Sequence, residues 1–145
     1  DTTARPETPE QTERRVPLIE LAKQGRHLEI NNTLWPVLVH EKRQGDAALR
    51  AVIDQMMVET GAKAVIRQFQ AIIGRPDSRP SLSAIRCPAL VIAGDSDRIT
   101  PPEVNEEIAA GIPGARLEIL PGCGHISTLE MPEVVTKLLM DWFSQ

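Results

Sequence analysis

The sequence predicts an α/β protein in which a helical segment precedes a βαβα parallel unit. Residues 9–73 carry apolar residues at helical spacing, and a linker rich in helix breakers follows at residues 74–80. Beyond the linker, two short apolar runs each precede a helix pattern. Because strand and helix alternate there with short connections, we expect parallel strands joined by right-handed crossovers. The predicted domains are residues 1–80 and 81–145.

The first two helices are predicted from their end signals. Thr8 is a threonine N-cap followed by a proline, so the first helix is expected from Pro9 to Gln24, with Gly25 as its stop. A second, shorter helix is expected over residues 32–40. Pro36 should lie near the start of this helix, because proline is tolerated best in the first turn.

Two further helices are expected before the linker. The third begins at Asp46 and ends at Gly61, and the fourth covers residues 62–73. Met56 and Met57 are favoured for helix packing over a role in lining a pocket. The residues predicted to face inward are Val16, Ile19 and either Leu18 or Ala22 on the first helix, Leu49, Val52, Ile53 and Met56 on the third, and Val65, Ile66, Phe69, Ile72 and Ile73 on the fourth.

Two strands and two helices are predicted after the linker. Residues 88–93 form a continuous apolar run closed by Gly94, which is typical of a parallel strand buried on both faces. The Thr-Pro-Pro-Glu stretch at residues 100–103 matches a capping box and predicts a helix start. The second strand is expected over residues 115–120. The last helix is predicted to open at Pro132 and to turn Val134, Val135, Leu138, Leu139 and Trp142 inward.

Composition excludes several classes of function. Sixteen Lys and Arg against 20 Asp and Glu give a net charge of −4, and aromatic residues are only 3%, so a nucleic-acid-binding surface is not expected. No apolar run approaches the roughly 18–20 residues of a membrane span. Cys87 and Cys123 are too few for a disulfide framework or a four-cysteine zinc site. We therefore expect two reduced, buried thiols in a cytoplasmic protein.

Polar loops follow both predicted strands. Gly94 is followed by Asp95 and Asp97, and the second strand leads into Pro-Gly-Cys-Gly-His125. Because the carboxyl ends of parallel strands share one sheet edge, these loops should lie side by side. A buried carboxylate that accepts the Nδ1–H of an imidazole leaves Nε2 able to deprotonate a nucleophile. We predict that Asp97 and His125 form this pair, and that Asp95 caps its turn through backbone amides.

Two other chemistries use the same residues and are less favoured. Asp95 and Asp97 could hold Mg²⁺, but no third carboxylate accompanies them. Cys123 and His125 could act as a thiol nucleophile with its base, but two residues apart in extended chain they would point in opposite directions. No metal or cofactor is therefore expected.

The remaining histidines and two boundary arginines are predicted to have no role in catalysis. His27 and His40 lie in the helical half and should be exposed to solvent. Arg75 and Arg79 flank the linker, where they could attract an anionic substrate. A solvated or ion-paired position is the favoured interpretation of both arginines.

Residues 87–102, with their strand, Gly94 and acidic loop, resemble the penultimate strand and acid loop of the α/β-hydrolase fold. Residues 121–133, with Gly-Cys-Gly-His and Leu-Glu-Met-Pro-Glu, are similar to that family's histidine loop and last helix. The acid precedes the histidine, as in the family. The resemblance implies that Asp97 is the triad acid and His125 the general base. It also implies that the helical part is a cap, or lid, and that the substrate is a small ester, lactone or related acyl compound.

The resemblance covers only the second half of such an enzyme. The family's serine lies in a Gly-x-Ser-x-Gly elbow, and these 145 residues contain none. We therefore expect the chain to be inactive alone, and to be the C-terminal portion of a hydrolase of roughly 240–260 residues, because it starts at Asp1 rather than Met. Its partner would be the missing N-terminal half. The alternative is a non-catalytic binding or assembly module that pairs its open strand edge with a second copy or another chain.

Overall fold

The computed structural model describes residues 2–144. No helix within this range is long and apolar enough to cross a membrane. Short 3-10 turns at His27–Glu29, Glu41–Arg43 and Arg79–Ala84 connect the main elements. In chain order, those elements are α1 (Pro9–Lys23), α2 (Ile30–Leu38), α3 (Ala47–Ile73), β1 (Leu90–Gly94), α4 (Pro102–Gly111), β2 (Arg116–Leu120), α5 (Ser127–Glu130) and α6 (Pro132–Phe143).

The chain divides into two compact units. The helical unit consists of Arg5–Trp35 and Asp46–Asp77. The strand unit consists of the N-terminal residues through Ala4, the segment Pro36–Gly45, and the chain from Ser78 onward. The last change of unit, between Asp77 and Ser78, falls inside the predicted linker. The sequence does not indicate that residues 36–45 belong with the strands, because helical residues of the other unit flank them on both sides.

In the helical unit, α1 has the predicted ends. The amide of Gln11 donates to Thr8 Oγ1 at 3.2 Å, and the amide of Thr8 donates to Gln11 Oε1 at 2.9 Å, which completes a capping box. Gly25 adopts a φ of +76° just after the helix. The apolar core of this unit consists of Leu18, Ile19, Ala22, Ile30, Val65 and Phe69, with Met57, Ile66, Ile72 and Ile73 packed against it.

Some residues predicted to face inward are exposed. Val16 is 48% exposed, because it lies about a third of a turn around α1 from the stripe formed by the buried residues. On α3, Leu49 and Ile53 are buried, but Val52 and Met56 are exposed. The apolar stripe in the sequence is therefore wider than the face that α3 buries.

Two predicted helix boundaries also differ. Pro36 lies inside α2 rather than near its start, and the helix ends at Leu38. Proline has no N–H, so residue 36 cannot donate the helical bond to the carbonyl of Asn32, and the helix ends two residues later. Gly61 is non-helical, with φ 70° and ψ 154°, but the chain resumes a helix directly, so the two predicted helices form one kinked element.

In the strand unit, β1 and β2 pair in parallel, as predicted, and form a two-stranded sheet among the described residues. The register runs from Leu90 opposite Arg116 to Gly94 opposite Leu120. Helix α4 makes the crossover. Two apolar clusters support the unit: one contains Ala4, Leu82, Ile108 and Ile112, and the other contains Leu120, Cys123 and Val135.

Helix α6 opens at Pro132, as predicted, but buries a narrower face than its sequence indicates. Val135 is buried, and Leu138 packs partly against the same cluster. Val134 and Leu139 were predicted to face inward and are exposed. Helix α6 therefore contacts its unit through the stripe that contains Val135 and Leu138.

Candidate active site

The acid loop, which follows Gly94, and the histidine loop, which follows Leu120, leave the sheet side by side, because Gly94 and Leu120 are paired in the register. The amide of Asp95 donates to the carbonyl of Leu120 at 3.0 Å, and the amide of Ser96 donates to that of Cys123 at 3.0 Å. Gly94 makes this approach possible: a Cβ at that position would lie 2.2 Å from the carbonyl oxygen of Cys123. The end of β1 and the loop after β2 are therefore in direct backbone contact.

Asp97 is the buried acid of the site, and it contacts His125. The Asp97 residue is only 3% exposed. Its Oδ1 accepts the backbone N–H groups of Ile99 at 2.8 Å and Thr100 at 2.9 Å. Its Oδ2 lies 2.9 Å from His125 Nδ1 and accepts the Thr100 hydroxyl at 2.7 Å. The contact predicted from the two strand ends is therefore present.

These contacts determine the protonation pattern of the pair. Burial alone would raise the pKa of Asp97, but hydrogen bonds from His125 and Thr100 outweigh burial and bring that pKa below its ordinary value of 3.8. The carboxylate is ionised at neutral pH and can only accept hydrogen bonds. Nδ1 of His125 must then carry the proton of the neutral ring, which leaves Nε2 unprotonated. The His125 side chain is 23% exposed, so the ring remains within reach of solvent.

The lowered pKa of Asp97 predicts how stability depends on pH. A carboxyl whose pKa is lower in the folded chain contributes stability above its unfolded pKa of 3.8, and loses it as pH falls through the folded value. We expect the difference in the free energy of unfolding between wild type and Asp97→Asn to be constant near neutral pH and to shrink below about pH 5. Urea unfolding at about pH 7, 5 and 3 measures it.

The control for this experiment is Asp141→Asn, since the Asp141 side chain is about half exposed and pairs with Lys137 on the surface of α6. This variant should differ little from wild type at any pH. A difference for Asp97→Asn that stays the same from neutral to acid pH would contradict the prediction.

Thr100 contacts the acid of the site, although its sequence pattern predicts a helix cap. It was predicted to cap α4, but Pro101 is the N-cap and no side chain caps this helix. The Thr100 hydroxyl instead donates to Asp97 and lies 3.3 Å from His125 Nδ1. The signal was the Asp-x-x-Thr spacing, which lets an Asp side chain accept the amides of the following turn. Beneath this turn, the fully buried Asn105 donates to the Thr100 carbonyl at 2.9 Å.

Asp95 accepts backbone amides, as predicted, but these amides belong to the histidine loop rather than to its own turn. Its Oδ1 accepts the amide of Gly122 at 2.9 Å and the hydroxyl of Ser96 at 2.8 Å. Burial raises the pKa of Asp95, but hydrogen bonds from Ser96 and from the amides of Gly122 and Cys123 lower it overall. Asp95 thus fastens the histidine loop to the acid loop.

The cysteines do not support a thiol nucleophile. Both are free, but only Cys123 is buried. Burial, reinforced by the charge of Glu130, raises the pKa of Cys123 to about 12, so it stays a thiol at neutral pH. Cys87 was predicted to be buried and is exposed, because it lies in the loop before β1. Among the described residues, no cluster of three or more His, Cys, Asp or Glu could hold a metal ion.

The two remaining histidines are half-buried rather than solvent-exposed. His27 starts a 3-10 turn in the helical unit, and its Nδ1 is a buried atom without a hydrogen-bond partner. His40 Nδ1 accepts the amide of Lys42 at 3.1 Å and so caps the turn Glu41–Arg43. His27 lies in one short 3-10 turn, and His40 directly precedes another.

Ion pairing accounts for the boundary arginines, as predicted. Arg75 lies 3.4 Å from Glu7, whose side chain is buried and also pairs with Arg15. Arg79 lies 3.8 Å from Glu107. These contacts favour structural roles over the attraction of an anionic substrate.

A pair of parallel strands whose carboxyl ends hold an acid and a histidine, in that order, is the arrangement expected of the α/β-hydrolase fold. The chain belongs to the alpha/beta hydrolase fold family, whose model matches residues 22–132. This confirms the resemblance and the predicted fold class.

Three similar proteins illustrate the family. A solved thermophilic esterase from Thermogutta terrifontis is 32% identical with a TM-score of 0.88, and the match covers 97% of this chain and 52% of that one. An enol-lactonase from Burkholderia xenovorans is 28% identical with a TM-score of 0.86, covering 99% and 54%. A 2-hydroxy-6-oxononadienedioate/2-hydroxy-6-oxononatrienedioate hydrolase of Paraburkholderia phymatum is 36% identical over 70 residues, covering 48% and 24%. The chain thus spans about half the length of the solved relatives.

Proposed function

We propose that this chain provides the acid and the general base of a Ser-His-Asp hydrolase that acts on a small ester, lactone or related acyl substrate. The observation that carries the proposal is the 2.9 Å contact between His125 Nδ1 and Asp97 Oδ2 at the ends of two parallel strands. Asp97 and His125 thereby have the geometry and the protonation pattern that triad chemistry requires.

In the proposed mechanism, His125 Nε2 removes the proton from a serine hydroxyl that lies outside these 145 residues. The hydroxyl oxygen attacks the acyl carbon, and the imidazolium then returns the proton to the leaving group. Nε2 next takes a proton from water, the water oxygen attacks the acyl-serine, and the acid is released as the serine regains its proton. Asp97 holds the ring in the required tautomer and stabilises the positive charge that develops on it. Thr100 orients Asp97 through its hydroxyl.

The relatives support acyl hydrolysis as the reaction but do not single out one substrate. Their names describe an esterase, an enol-lactonase and an oxononadienedioate hydrolase. In this proposal, the helical unit (Arg5–Trp35 and Asp46–Asp77) acts as the cap, and its side chains would select among such substrates. The chain alone would be inactive because it contains no Gly-x-Ser-x-Gly elbow.

An ester-hydrolysis assay tests this proposal. We expect the chain alone to hydrolyse p-nitrophenyl acetate no faster than buffer does. Fusing it to the part of the Thermogutta terrifontis esterase that it does not cover, which is about half of that enzyme, should supply the serine and produce turnover. His125→Ala in the fusion should abolish this turnover, because the serine would lose its base.

The matched control is His27→Ala, which removes a histidine from the helical unit and should leave turnover of the fusion in place. Turnover by the chain alone that is lost in His125→Ala would contradict the predicted inactivity. A folded fusion that is no faster with His125 than without it would contradict the proposed function.

A further inference from the structure

Glu130 is a buried carboxylate that bonds two backbone segments of the strand unit. The residue is 5% exposed and ends α5. Its Oε1 accepts the amide of Gly124 at 2.8 Å, and its Oε2 accepts the amide of His40 at 2.7 Å. One of these amides belongs to the residue directly before His125, and the other belongs to a segment more than eighty residues earlier in the chain.

We propose that Glu130 is a positioning residue that sets the placement of the His125 imidazole against Asp97. The inference rests on the proposed role of His125 as the base. Glu130 does not contact the imidazole in this role. Glu130 acts through two backbone segments, the histidine loop at Gly124 and the segment at His40.

The two segments run alongside each other at His125. The amide of His125 donates to the carbonyl of Leu38 at 2.9 Å, which is a direct backbone bond. At the neighbouring position, the amides of Gly124 and His40 are both donors, so neither can bond to the other. The Glu130 carboxylate supplies one acceptor oxygen to each of them. The Glu130 carboxylate therefore joins the same two segments that the bond from His125 to the Leu38 carbonyl joins.

The backbone carbonyl of Glu130 is also hydrogen-bonded. The guanidinium of Arg43 donates to the Glu130 carbonyl at 2.8 Å. Residues 38–43 thus donate hydrogen bonds to the last residue of α5, both to its backbone carbonyl and to its side-chain carboxylate. Each of these hydrogen bonds has a charged group as its donor or its acceptor, so they are among the stronger ones available.

Gly124 gives independent support for this arrangement. A Cβ at Gly124 would lie 2.6 Å from the amide nitrogen of His40 and 2.7 Å from Glu130 Oε1. Any larger residue directly before His125 would therefore displace the carboxylate or the 38–40 segment. The position must be glycine for the histidine loop to reach its partners.

Only a carboxylate satisfies both amides. The side chain of glutamine has one acceptor oxygen and one NH₂ donor, so in Glu130→Gln one of the two backbone N–H groups would face another donor. Aspartate keeps two acceptor oxygens but is one methylene shorter. Glu130→Asp should therefore retain part of what Glu130→Gln loses.

The test is NMR spectroscopy of the ¹⁵N-labelled 145-residue chain, which needs no serine and no activity. We expect Glu130→Gln to speed amide hydrogen exchange at Gly124 or His40 by about tenfold, as the loss of one hydrogen bond predicts. We also expect the His125 Nδ1–H resonance to broaden or disappear, because the ring is no longer held in position to hydrogen-bond Asp97. Gly124→Ala should reproduce both changes, and Glu130→Asp should give intermediate values.

The control is Glu133→Gln, which changes an exposed carboxylate in the first turn of α6 and should alter neither readout. Faster amide exchange with an unchanged Nδ1–H resonance would overturn the proposal, since Glu130 would then be only structural. No change in either readout would overturn it as well. If Glu130→Gln does not fold, the comparison of Glu130→Asp with wild type decides the question. Because the readout does not depend on turnover, failure of the proposed function would leave this result unaffected.

Discussion

Replacing Asp97 by asparagine in the serine-complemented fusion is expected to lower kcat about ten-thousandfold, the cost of holding a triad imidazole in the wrong tautomer. The two sides of this carboxylate make different contacts. Its Oδ1 accepts the amides of Ile99 and Thr100, and asparagine can keep both bonds through its single carbonyl oxygen. Its NH₂ group then takes the place of Oδ2 and points a donor at His125 Nδ1. The imidazole proton must move to Nε2, where the base needs its lone pair.

The measurement is kcat and KM for p-nitrophenyl acetate, with Asp95→Asn as the matched control. Asp95 lies in the same loop but accepts from Gly122 and Ser96. Its replacement should weaken the loop contact and reduce kcat far less than Asp97→Asn does. KM should change little in Asp97→Asn, because the acid acts on the imidazole and not on bound substrate. A lower kcat in Asp95→Asn together with an unchanged kcat in Asp97→Asn would show that the acid is wrongly assigned.

The core of the site could be predicted because parallel strands constrain where their loops go. Two apolar runs with a crossover helix between them require the loops after Gly94 and Leu120 to meet at one edge, whatever lies elsewhere in the chain. The position of Asp97 at the far end of its loop then brings it to His125. Helix ends such as Thr8 and Gly25 were also predictable, because a helix cap depends only on residues within one turn.

The contacts that sequence reasoning missed depend on segments far apart in the chain. Thr100 has the local pattern of an N-cap, and only the position of Asp97 reveals that its hydroxyl is used there. Glu130 is an ordinary helix residue until the 38–40 segment, ninety residues away in the case of His40, is placed beside it. The apolar stripes were predicted too wide for a related reason. Val52 and Val134 have helical spacing, but among residues 2–144 no neighbouring element covers them.

A second large effect is expected at Gly94, where a side chain has no room. A Cβ there would lie 2.2 Å from the carbonyl oxygen of Cys123 and 2.3 Å from that of Gly124, and neither backbone atom can rotate away. Gly94→Ala must therefore push the histidine loop off the end of β1. We expect the free energy of unfolding to fall by about 3 kcal/mol, at the upper end for an overpacked site. Urea unfolding of the 145-residue chain measures the change.

The matched control is Gly45→Ala, because a Cβ at Gly45 meets no atom within 4 Å. Its free energy of unfolding should stay within about 0.5–1 kcal/mol of wild type. Since the loop that Gly94→Ala displaces carries His125, the same variant should also weaken the Nδ1–H resonance, which Gly45→Ala should leave intact. Equal stability of the two variants would mean that the loops do not make the backbone contact from which the site is built.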